Sequence, residues 1–148
     1  MYSEPLGYFL TFTVYGTWLH GDKRGSFRRK AEYIDPEPNW VQDKANSFRL
    51  SPEQRAVIDQ AFVELCEKRN WFLHEKNVRT NHVHIVVTAP DTKPERVMAD
   101  MKAKATRSLR KAGLFPEDEP LWTEHGSTIY LFTQEKFDDA RIYVRDYQ

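Results

Sequence analysis

Residues 71–88 read WFLHEKNVRTNHVHIVVT, and this stretch decides the fold. Residues 71–78 and 82–88 are short, rich in β-branched and aromatic side chains, and separated by the polar Arg79, Thr80 and Asn81. That pattern predicts two strands joined by a tight turn, a β-hairpin. Alternation along the second strand sends Val83, Ile85 and Val87 to one face and His82 and His84 to the other. One face of the hairpin is therefore suited to burial, and the other carries two imidazoles.

Helices are expected on either side of the hairpin in the chain. Upstream, Ser51 precedes Pro52, Gln54 completes a capping box, and Val57, Ile58, Ala61, Phe62, Leu65 and Cys66 recur at helical spacing. Downstream, Pro94 opens a second helix whose Val97, Met98, Met101, Ala105 and Leu109 share a face, and Gly113 stops it. Further out, residues 8–15 alternate Phe9, Thr11, Thr13 and Tyr15 against Leu10, Phe12 and Val14 as a first strand, and residues 127–132 make a last one. Thr133 caps a terminal helix running from Gln134 towards Gln148. The order strand, helix, strand, strand, helix, strand, helix predicts an α+β chain: a ferredoxin-like split βαβ antiparallel sheet with an added C-terminal helix. Residues 21–48 are charged, contain Gly25, Pro36 and Pro38, and keep no period, so a long loop at about 20–50 is expected within a single domain spanning 1–148.

The 148 residues suit one domain with one core. With 40% hydrophobic and 30% charged residues the composition is that of an ordinary soluble protein, and no apolar run approaches the ~20 residues of a membrane span. Residues 1–6 carry neither a basic region nor a long apolar one, so a cytoplasmic protein is expected. The 22 Lys and Arg balance 22 Asp and Glu, which excludes coating of nucleic acid through bulk charge and leaves only local contacts. Two basic clusters offer them: Lys23, Arg24, Arg28, Arg29 and Lys30 in the loop, and Lys102, Lys104, Arg107, Arg110 and Lys111 in the second helix. Of these, Lys104, Arg107 and Lys111 form a stripe. The single cysteine, Cys66, lies on the apolar side of the first helix and is expected to be inert.

On a strand, residues two apart start ~6.5 to 7 Å apart at Cα, so His82 and His84 are able to converge on one ion at ~2.0 to 2.1 Å from each nitrogen. Ordinary hydrogen bonds would satisfy them equally well. Two nitrogen ligands leave positions open on a six-coordinate ion for a phosphate oxygen. His20, His74 and His125 are expected to be structural or peripheral. The terminal helix bears Tyr143 and Tyr147 on a face broadly shared with Phe137 and Ala140, and the plain reading is of core tyrosines with their hydroxyls at the rim. A phenol, with an ordinary pKa of ~10, is a poor nucleophile at neutral pH unless a metal-bound phosphate or a base assists it. The histidine pair and a tyrosine make chemical sense together.

His82-Val83-His84, Tyr143-Val144 on the last helix, the early Tyr15-Gly16-Thr17-Trp18-Leu19 with Asp22 and Arg24-Gly25, and Leu121-Trp122-Thr123-Glu124-His125-Gly126-Ser127 together resemble the single-tyrosine HUH transposases. These comprise the insertion-sequence transposases and the REP-associated tyrosine transposases, and the likeness spans most of the chain. The resemblance implies a metal-dependent DNA transposase and endonuclease. It implies Mg²⁺ or Mn²⁺ held by His82 and His84, Tyr143 as catalytic nucleophile, and a 5′-phosphotyrosine intermediate through which single-stranded DNA is cut and rejoined. Hairpin-bearing DNA and a homodimer are the implied partners. Insertion-sequence members often carry a third metal ligand, commonly Gln, one helical turn beyond the tyrosine. Here Tyr147 stands at that position, and Gln148, ~100° further round the helix, is the candidate ligand. DNA would be held by Arg24, Arg28, Arg29, Lys104, Arg107 and Lys111, with Trp18, Trp40 and Tyr15 as stacking residues and Trp71 in the core. Competing expectations are an HUH replication initiator or relaxase, a domesticated hairpin-binding protein without catalysis, and a small metal-sensing domain.

Overall fold

The computed structural model describes residues 4–15, 17–19, 40–42 and 48–146, the two three-residue segments by their backbone alone. Strand β1 (Gly7–Val14) leads to two short strands, β2 (Thr17–Leu19) and β3 (Trp40–Gln42), which pair antiparallel with each other. Helix α1 (Pro52–Arg69), the hairpin β4 (Phe72–Val78) and β5 (His82–Thr88), helix α2 (Pro94–Lys111), strand β6 (Trp122–Leu131) and helix α3 (Gln134–Asp146) follow. The main sheet has the order β4-β5-β1-β6 with every neighbouring pair antiparallel. This is the expected ferredoxin-like split βαβ arrangement: β5 enters between β1 and β4, and α3 is the added helix.

Local chemistry sets the element ends. The Ser51 side chain accepts from the Gln54 N–H while the Gln54 side chain accepts from the Ser51 N–H, so both halves of the capping box are made. Asn70 in the left-handed region (φ 61°) closes α1, and Gly113 (φ 73°) turns the chain out of α2. At the start of α3 the Thr133 hydroxyl accepts from the Lys136 N–H, as its position predicts.

The sheet separates two cores. Leu10, Phe12 and Val14 of β1 and Val83, Ile85 and Val87 of β5 face α1 and α2, meeting Ile58, Phe62, Val97, Met101 and Leu109 in the larger core. Trp71 is buried there and Cys66 lies within it, where burial pushes the thiol up to about 11. On the opposite face α3 lays Phe137, Ala140 and Val144 on Val86 and Leu131, with Phe9 packed alongside. An i, i+3, i+7 seam is what one helix presents to one sheet.

Strand β6 begins at Trp122, five residues before the predicted start at Ser127. Phe12 pairs with Gly126 but Val14 pairs with Trp122, so residues 123–125 bulge out of the ladder. The Lys102 ammonium fills the gap by donating to the carbonyls of Thr123 (2.9 Å), His125 (3.3 Å) and Glu124 (3.5 Å). This member of the α2 basic cluster thus serves as an internal cap for the bulge. The short β3 strand also falls inside what the sequence presented as an unpatterned loop, and β2 lies just before it.

Candidate active site

Strand register assembles the site on the α3 face. Thr13 pairs with His82 and Thr11 with His84 across β1 and β5, while Asn77 of β4 pairs with His84 from the other side. The Thr11 hydroxyl lies 2.9 Å from His84 Nδ1, and Asn81 Oδ1 lies 2.8 Å from His82 Nδ1. Each ring is therefore oriented through its Nδ1 by a neighbouring oxygen. The ring centres of His82 and His84 are 4.9 Å apart. Imidazoles sharing an ion at ~2.1 Å per nitrogen have centres roughly 4.5–5 Å apart, so the pair fits a divalent metal. No group of three or more His, Cys, Asp or Glu suited to enclosing a metal occurs among the described residues.

His84 is 5% exposed. Burial, joined by the nearby charges of His82 and Arg79, pushes its imidazole down to about 3. The ring stays neutral at physiological pH, as a nitrogen ligand must be.

Tyr143 comes to this spot from the last helix. Its ring centre lies 5.5 Å from that of His84 and 5.9 Å from that of Phe9, both edge-on, and the residue remains 43% exposed. The docking seam fixes where α3 lies, Asn77 Nδ2 donates to the Val144 carbonyl at 3.0 Å, and Arg141 reaches Glu75 at 3.6 Å. Tyr143 thus flanks the buried seam, half in water, beside the histidines.

The structure brings His82, His84 and Tyr143 together and leaves Lys104, Arg107 and Lys111 on α2, behind the opposite face of the sheet. Lys104 is held by Glu64 of α1 at 3.3 Å, and Arg107 and Lys111 are exposed. Arg24, Arg28, Arg29 and Gln148 lie outside the described residues, as do His20 and Tyr147 and the side chains of Trp18 and Trp40. His74 packs edge-on against Phe137 and bonds Thr88 through Nε2 at 2.7 Å, a structural role, whereas His125 is exposed beside Glu124. Thr11, Asn77 and Arg79 were not singled out by sequence. The turn at residues 79–81 contained the signal, because it registers 77 against 84 and 79 against 82.

The family profile described as "Transposase IS200 like" matches residues 41–145. A solved structure of a REP-associated tyrosine transposase bound to a REP hairpin is similar, with a TM-score of 0.56 at 13% identity, covering 97% of this chain and 67% of that one. No curated protein matches the sequence. Among the described residues no helix is long and apolar enough to cross a membrane.

Proposed function

The chain belongs to the IS200-like transposase family, and from that premise we propose that it cuts and rejoins single-stranded DNA with Tyr143 as nucleophile, assisted by a divalent metal, Mg²⁺ or Mn²⁺, at His82 and His84. The observation that carries this reading is the 5.5 Å approach of the Tyr143 and His84 rings, from elements far apart in the chain. When bound, the ion acts as a Lewis acid on the scissile phosphate. Thr11 and Asn81 hold the two imidazoles in place, and the docked α3 helix limits where the phenol can sit. The Tyr143 oxygen attacks phosphorus as its proton passes to solvent at the exposed phenol, and the P–O3′ bond breaks, the leaving oxygen taking a proton from solvent, to give a 3′-hydroxyl and a 5′-phosphotyrosine. A 3′-hydroxyl from another strand reverses the exchange and releases Tyr143. One phosphoester replaces another at each stage, so joining needs no ATP.

The substrate is single-stranded DNA bearing hairpins, a reading supported by the REP hairpin bound to the similar transposase. A homodimer, and Gln148 as the third ligand, belong to the same proposal. The test is incubation with labelled single-stranded DNA carrying the hairpins that flank the gene, with Mn²⁺ or Mg²⁺, followed by a denaturing gel. A covalent protein–DNA band that needs metal and disappears in Tyr143→Phe is expected. DNA binding with no such band would instead favour a hairpin-binding protein without catalysis.

A further inference from the structure

The β4–β5 turn places a cation beside the histidines that the mechanism above does not use. Arg79 follows β4 directly, and its backbone N–H donates to the His82 carbonyl at 2.8 Å, which continues the hairpin pairing past Val78 and Val83 and makes it the cross-strand neighbour of His82. Its side chain is partly buried and near enough to His84 for its charge to act there. Glu75, the carboxylate of β4, is paired with Arg141. Among the described residues no carboxylate forms an ion pair with Arg79. A partly buried guanidinium beside two histidines, without such a partner among the described residues, leaves this corner short of negative charge, which a bound anion would supply.

We propose that Arg79 binds the DNA phosphodiester at this site, with its guanidinium donating to a non-bridging oxygen of the phosphate presented to Tyr143. The assignment rests on the reading of the site as one that takes DNA, and it adds the residue that would hold the phosphate. A guanidinium fork fits two oxygens of one phosphate, so it fixes orientation as well as charge, and a lysine keeps only the charge.

The experiment measures binding of labelled hairpin-bearing single-stranded DNA in EDTA across a salt series, and adduct formation in Mn²⁺, for wild type, Arg79→Ala, Arg79→Lys and Lys68→Ala, an exposed cation on α1. One lost phosphate contact on a single strand flattens the slope of log K against log salt by about 0.7, and Arg79→Ala is expected to show this without metal present. Its adduct rate is expected to fall by at least about tenfold. Arg79→Lys restores the slope but only part of the rate, which also separates lost binding from lost folding. An Arg79→Ala protein matching wild type in slope and rate, or a loss equalled by Lys68→Ala behind the sheet, overturns the assignment. Wild-type protein that binds DNA without forming an adduct refutes the nuclease reading alone, since the salt slope still decides Arg79. Absence of any DNA binding overturns both.

Discussion

Thr11, His84 and Tyr143 form a line of contact from β1 through β5 to α3, and the middle residue has a thermodynamic signature. The folded-state pKa of His84, about 3, lies below the ~6.5 of an unfolded histidine, so below that value the unfolded chain binds the proton that the folded chain refuses. The contribution of His84 to stability is complete above about pH 6.5, shrinks as pH falls, and is gone once pH passes through the folded value. At pH 5 the loss is about 2 kcal/mol. Urea unfolding at pH 7.5 and pH 5.0 should show wild type losing more stability on acidification than His84→Gln, by about that amount. His74 shifts downward too, through burial and then the Arg141 charge, and it remains in both proteins, so the difference isolates His84.

Within β6, Gly126 leaves little room for change. A Cβ built on Gly126 would lie 2.5 Å from the Thr11 carbonyl oxygen and 2.8 Å from the Met98 sulfur. Met98 could shift, but the β1 backbone it would press on is the one that holds Thr11 against His84. Gly126→Ala is therefore expected to cost roughly 1–3 kcal/mol and, unlike a general destabilisation, to reduce adduct formation even well below the melting temperature; a thermal melt paired with the gel assay separates the two effects. Sequence disclosed this strand only in part. Ser127, Ile129 and Leu131 belong to a regular ladder, and their alternation was readable. Residues 123–125 leave the ladder, and their carbonyls are satisfied by Lys102 from α2, a partner no local pattern announces. The capped helices and the hairpin were legible because their signals are periods and caps within a few residues.

At the scale of the molecule, one sheet divides two cores of unequal size, and they should fail differently. Phe62 lies in the larger core at 0% exposure, and Phe62→Ala should lower global stability by roughly 3–5 kcal/mol. Phe137 belongs to the small core under α3. Phe137→Ala is expected to speed amide exchange in α3 and depress adduct formation while exchange in β1 stays slow, measured by hydrogen-exchange mass spectrometry; equal acceleration throughout would mean that the two cores melt as one unit. The histidine pair and the tyrosine were legible as residues, but their meeting depends on this docking and on register, which the sequence does not display. Thr11, Asn77 and Arg79 escaped notice for the same reason, and the pairing of Lys104 with Glu64 was hidden because the carboxylate sits on another helix. Strand β5 condenses the division into seven residues: Val83, Ile85 and Val87 belong to the larger core, while His82 and His84 face the tyrosine. In a library of replacements along β5, changes at 83, 85, 86 and 87, each buried in one core or the other, should be purged by poor expression, whereas conservative changes at 82 and 84 should yield protein that accumulates without forming the adduct.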